Sequence, residues 1–110
     1  MLPANLNVVF VKPGWFMVDV AMTVVLDRDR VLHSGSFLGG IDRVLEVELG
    51  PHTLETILDL GAFSRRRSYS FTLEAPTDYR SQRPTYRAVL RYSRFWGNFT
   101  RGLAVERIDG

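Results

Sequence analysis

The segment Val44 to Thr56, VLEVELGPHTLET, constrains the fold of this chain more than any other. Apolar residues alternate with acidic or polar ones on both sides of Gly50-Pro51. Successive side chains of an extended strand point to opposite faces, so each side of that dipeptide reads as a strand half buried in a core. Gly-Pro punctuates the chain and His52-Thr53 opens the second strand. The simplest expectation is a tight hairpin that joins Ile41 to Leu49 with His52 to Leu60.

The same period of two recurs along the chain. Leu6 to Lys12 reads as a strand stopped by Pro13-Gly14, and Trp15 to Leu26 as a longer one. In the latter Phe16, Val18, Val20, Met22, Val24 and Leu26 share a face. Asp27 to Arg30 is a polar turn into Val31 to Leu38, where Gly35 marks a bend or bulge. Gly61 to Arg67 reads as a loop ending in three arginines, followed by the alternation of Tyr69, Phe71 and Leu73. Ala75 to Pro84 is the longest polar connection. Thr85 to Arg94 places Tyr86, Ala88, Leu90 and Tyr92 on one face and Arg87, Val89 and Arg91 on the other. Phe95 to Gly102, FWGNFTRG, reads as an aromatic loop before a last strand at Leu103 to Ile108.

Nothing in this pattern has the 3.6-residue period of a helix, and there is no internal repeat. The expected fold is therefore all-β: an antiparallel two-sheet β-sandwich of about eight strands, Ig-like or transthyretin-like, formed by a single domain over residues 1–110. Its core is expected to hold Phe16, Val18, Val20, Val24, Leu45, Val47, Leu54, Leu58, Tyr69, Phe71, Leu73 and Leu90, the apolar phase of the alternating strands.

Length and cysteine content set further bounds. A chain of 110 residues is large enough to bury one core and too small for two ordinary ones. It has no cysteine, so neither a disulfide framework nor a thiolate metal site is available. A cytoplasmic location is the expectation that follows. Met1 to Asn7 carries no basic residue and no apolar run approaches a membrane span, so neither a secretory signal nor a membrane partner is expected.

Catalytic and metal sites need converging groups, and the sequence offers few. The two histidines, His33 and His52, fall on different strands, and Ser34 and Ser36 lack a Gly-x-Ser-x-Gly elbow. Asp27 and Asp29, with Asp42, Glu46 and Glu48, present carboxylates to calcium, but Arg28 and Arg30 interleave the first pair and would repel the ion. Gly39-Gly40 leads into a strand without the Lys-Ser or Lys-Thr of a phosphate loop. The reading is a non-enzymatic chain with no catalytic residue, no metal and no cofactor.

Charge is the feature that points toward binding. Residues 1–60 carry four basic and eight acidic side chains, whereas residues 61–110 carry ten arginines against four acids. Such a bias steers an anionic partner or a second copy of the chain, although a GC-rich genome would also enrich arginine. The arginines interleave with aromatics from Arg80 to Arg101. Arg pairs bidentately with carboxylate or phosphate, and aromatic rings stack on bases or grip peptide side chains. The strand period separates Tyr86 and Tyr92 from Arg87 and Arg91, which favours an acidic peptide over single-stranded nucleic acid.

The stretch from Thr23 to Leu73, with its strand, Asp turn, strand, glycine break, VELGPHTLE hairpin and Ser-rich strand, resembles the small bacterial β-sandwich modules of the PEGA type, whose pattern joins a strand with an Asp-Gly turn to a Pro-Gly-x-His hairpin. Asp27-Arg28 stands where that pattern has Asp-Gly, and Gly50-Pro51 where it has Pro-Gly. The resemblance implies a bacterial binding or surface module without catalytic residues.

The functional expectation is an accessory module that binds a peptide or protein segment, of acidic character, by adding it as a strand to a sheet edge, as a peptide-modification pathway would hold a precursor. The candidate contacts are Arg65, Arg66, Arg67, Arg80, Arg83, Arg87, Arg91, Arg94 and Trp96. Thr85 to Arg94, with no proline or glycine inside it, is the expected open edge. A nucleic-acid-binding β domain and a structural module that self-associates, for instance as a homodimer, are the alternatives.

Overall fold

A computed structural model describes residues 3–11, 19–74, 84–93 and 98–108. The strands, in chain order, are β1 (Pro3–Phe10), β2 (Ala21–Leu26), β3 (Arg30–Ser36), β4 (Ile41–Glu48), β5 (Gly50–Asp59), β6 (Ser64–Leu73), β7 (Thr85–Leu90), β8 (Tyr92–Ser93), β9 (Asn98–Phe99) and β10 (Ala104–Arg107). They form two four-stranded sheets, β10-β7-β1-β4 and β3-β2-β5-β6, and the short ribbon β8-β9. The described residues contain no helix.

Alternation sets which side of each strand is buried. Leu6, Val8 and Phe10 of β1, Met22, Val24 and Leu26 of β2, Leu54 and Leu58 of β5, and Tyr86, Ala88 and Leu90 of β7 enter one shared core. Of the residues expected inside, Val24, Leu45, Val47, Leu54, Leu58, Tyr69, Leu73 and Leu90 are buried, and Val20 and Phe71 are half-buried against the core. Phe16 and Val18 lie outside the described residues. One end of the core is aromatic: Phe10 lies 5.1 Å from both Phe37 and Phe99, ring centre to ring centre, and Phe37 lies 5.0 Å from Tyr92.

The expected hairpin at Gly50-Pro51 does not form. β4 pairs with β1 in one sheet, while β5 pairs with β2 and β6 in the other, so the chain crosses between sheets at this point. Alternation shows which face of a strand is buried, and that face is the same whether the next strand lies beside it or across the core. Gly50, with φ of 122°, adopts the backbone that the crossing needs. Within the two four-stranded sheets, the consecutive strands that pair are β2-β3 and β5-β6. Asp27 and Arg28, with φ of 53° and 68°, turn the first of these with the positive φ that a primed hairpin turn requires.

Other differences concern extent and pairing. Gly61 to Arg67 is not all loop, because Ser64 to Arg67 already belongs to β6 and faces Thr56 to Asp59 of β5. Asp19 and Val20 lie outside strand structure, so the described part of the second strand begins at Ala21. The ladder irregularity in β2-β3 falls at Leu32, between the pairs Val24↔His33 and Val25↔Val31, and not at Gly35. The sheets are not purely antiparallel: β1 and β7 run parallel, with Asn5 beside Thr85. Leu103 to Ile108 shortens to β10, which covers one side of β7 while β1 covers the other. β7 is therefore an interior strand with no open edge.

The edges of β3 and β4 are tied to each other. Arg43 donates to the Leu32 carbonyl and Arg30 to the Glu46 carbonyl, each at 2.9 Å. The bend between these strands is fixed by Asp19, whose carboxylate accepts from Ser36 Oγ and from the backbone N–H groups of Leu38 and Val20. Gly40 completes it. A Cβ there would meet the Phe10 carbonyl oxygen at 2.5 Å, and φ is +66°.

Candidate functional site

The three consecutive arginines of β6 are split by the strand period. Arg66 takes the outward phase, exposed beside Glu55 at 3.8 Å. Arg65 and Arg67 take the inward phase that continues through Tyr69 and Leu73, but they sit at the strand's start, beyond the closed core. Here a second segment crosses β6. Asn98 Nδ2 donates to the Arg66 carbonyl, Arg67 Nε to the Phe99 carbonyl and the Tyr69 hydroxyl to the Thr100 carbonyl. The Thr100 N–H in turn donates to the Arg91 carbonyl at 2.8 Å, which anchors the segment to the end of β7.

Between these elements lies a cleft of about 520 Å³ lined by Arg65, Arg67, Ser93, Asn98, Phe99, Thr100 and Arg101. Among the described residues it holds three guanidinium groups, hydroxyl and amide donors, one aromatic wall and no carboxylate. Arg101 is exposed, and neither it nor Arg65 has an ion-pair partner among the described residues. Arg65 lies over the exposed ring of Phe63, 5.2 Å from its centre. The two phenols nearby remain neutral. Burial pushes Tyr69 up against the opposing pull of Arg67, and burial pushes Tyr92 up against that of Arg65. Neither phenol contributes negative charge, so the cleft is cationic.

Such a site can grip an anion. Guanidinium forks match carboxylate and phosphate oxygens in pairs of charge-assisted hydrogen bonds. Among the described lining residues, the hydroxyls of Ser93 and Thr100 have no histidine or carboxylate beside them.

Of the arginines picked out in the sequence, the structure brings Arg65 and Arg67 together. Arg66 faces the other way. Arg87 is exposed on the outer face of the β10-β7-β1-β4 sheet, with Glu106 opposite it in the ladder. Arg91 is exposed at the end of β7. Arg80, Arg83, Arg94 and Trp96 lie outside the described residues. Sequence reasoning did not select Ser93, Asn98, Thr100 and Arg101 for the site. Their signal was present in FWGNFTRG, polar and basic residues set among aromatics, but pairing that segment with β6 requires tertiary structure.

A second cleft, of about 590 Å³, is lined by Pro3, Asp27, Asp29, Arg30, Glu46, Val47, Glu48 and His52. His52 acts there as a fastener: Nδ1 lies 2.7 Å from Asp27 and Nε2 lies 2.6 Å from the Glu48 carbonyl, while Asp27 also accepts from the Thr53 N–H. His33 contacts the Ser36 carbonyl through Nε2. Among the described residues no group of three or more His, Cys, Asp or Glu is placed to hold a metal ion, and no helix is long and apolar enough to cross a membrane. Comparison with protein-family models, curated proteins and solved structures finds no match.

Proposed function

We propose that this protein is a non-enzymatic binding module that holds an acidic peptide or protein segment in the cleft formed by Arg65, Arg67 and Arg101. The observation that carries the reading is the convergence of three arginines, from two separate segments, in a cleft whose described lining has no carboxylate. Side-chain recognition replaces addition of a strand to β7, because both sides of β7 are already paired. Asn98 likewise occupies the Arg66 carbonyl on β6, the strand that borders the cleft. Of the resemblance to PEGA-type modules, the strand–Asp turn–strand part stands in β2-β3 and supports a bacterial accessory role, whereas the hairpin part does not form.

Phe63 supports a second reading, single-stranded nucleic acid. An exposed ring already stacked with a guanidinium offers a surface for a base. Titrations with a short polyglutamate peptide and with a single-stranded oligonucleotide, each over a range of salt, separate the two. Phosphate binding releases condensed counterions and falls more steeply with salt. For the acidic-segment reading, polyglutamate binds, and Arg65→Glu with Arg101→Glu weakens it by about tenfold or more. Arg87→Glu, on the far sheet's outer face, leaves it unchanged. Equal loss in the Arg87 variant would move the site away from the cleft.

A further inference from the structure

We propose that the segment held in the arginine cleft is the acidic end of a second copy of this chain, so that the protein associates head to tail. The proposal rests on the acidic-segment reading and names its partner.

The two clefts are complementary. Among the described residues one offers three arginines and no acid, whereas the other carries Asp27, Asp29, Glu46 and Glu48 against Arg30 and His52. Setting aside Asp27, which His52 holds, the second cleft keeps three carboxylates against Arg30, and the first presents three arginines. The clefts lie toward opposite ends of the molecule. Arg65 is beside Leu58, late in β5, whereas His52 of the acidic cleft is near the start of the same strand. Six residues of strand separate them, roughly 20 Å. One molecule cannot close its own clefts on each other, so satisfying both requires another copy.

The acidic end is also built to present charge. Elsewhere in the first half of the chain, Asp19, Asp42, Glu55 and Asp59 each engage a group of their own molecule. Asp29 and Glu48 are exposed, and their carboxylates engage no partner among the described residues. Asp29 sits on the β2-β3 turn, which His52 and Thr53 fix through Asp27. A fixed, projecting turn loses little freedom on entering a cleft. Because the two surfaces differ, the contact is heterologous and continues into a ring or an open chain. Its attraction is mainly between exposed charges and weakens as salt screens them.

Sedimentation velocity on the whole chain tests this. The wild-type sedimentation coefficient is expected to rise with protein concentration at low salt and to fall back at high salt. One variant carries Arg65→Glu and Arg101→Glu, another Asp29→Lys and Glu48→Lys. Each sets like charge against like charge, so each alone associates at least about tenfold more weakly than wild type. Mixed, the two offer each other opposite charges at both ends, and heteromeric association returns to within a few-fold of wild type. Circular dichroism verifies that both fold, and the wild-type salt and concentration series decides the matter even if one does not. A wild type that stays monomeric at millimolar concentration and low salt overturns the proposal, as does a mixture that stays monomeric while both variants are folded. Polyglutamate binding by a monomeric wild type would sink only the self-association, whereas absence of polyglutamate binding would sink the underlying reading.

Discussion

Thr56 is fully buried between Leu54 and Leu58 in the inward phase of β5, and its hydroxyl is the only buried side-chain polar atom among the described residues without a hydrogen-bond partner. A buried hydroxyl that gives up water without a replacement costs free energy, and valine has nearly the same shape. Thr56→Val is expected to stabilise the protein by about 1 kcal/mol, read as a higher urea midpoint with an unchanged slope. Asp19 is the opposite case. The Ser36 hydroxyl first, then the Leu38 N–H, hold its carboxyl below the ordinary 3.8. A carboxyl depressed in the folded state contributes stability above its unfolded value, and that contribution is lost as pH falls through the folded one. Asp19→Asn is therefore expected to lower the thermal midpoint at neutral pH, and the gap from wild type is expected to close as the pH drops below 3.8. A gap that persists in acid would mean that the carboxylate charge is not what fixes the bend.

At the level of strands, the sequence revealed faces more readily than neighbours. The inward residues of β2, β4, β5 and β7 were legible because period-two alternation reports burial directly. The partner of β4 was not, since Leu45 and Val47 face the core whether Leu54 and Leu58 lie beside them or opposite them. Ser64 to Arg67 was illegible as strand for a different reason: serine and arginine carry little strand signal, and pairing with Thr56 to Asp59 overrides it. Cysteine pairs distinguish the two arrangements cleanly in a chain that has no cysteine of its own. Glu55 and Ser68 are direct neighbours across β5-β6, so Glu55→Cys with Ser68→Cys is expected to oxidise readily. Glu46→Cys with Glu55→Cys, which a hairpin at Gly50-Pro51 would bring together, is expected to stay reduced, because β4 and β5 belong to different sheets. Mass spectrometry after mild oxidation reads both, and a disulfide in the second pair would restore the hairpin.

For the molecule as a whole, the first and seventh strands are decisive. β1 is flanked by β4 and by β7, and the β7 partnership joins Asn5 to Thr85 across most of the chain. No local signal announces a parallel pairing of that span, which is why neither the interior position of β7 nor the cleft beside its end could be read in advance. The same span makes the two ends of the sequence interdependent. Tyr86, Ala88, Leu90 and Phe99 supply core that the earlier strands cannot replace, and without β7 the first sheet shrinks to the β1-β4 pair. Two strands alone are at best marginal in water. A fragment of residues 1–83 is therefore expected to lack cooperative unfolding and to leave the apolar face of β1 exposed. A peptide spanning residues 84–110, added to it, is expected to restore cooperative unfolding and the dispersed amide spectrum of a folded β domain, because the missing strand pairs through backbone groups and needs no covalent link. A fragment 1–83 that unfolds cooperatively on its own would show that the β3-β2-β5-β6 sheet carries a core of its own, and that the parallel pairing of β1 with β7 is not what completes the fold.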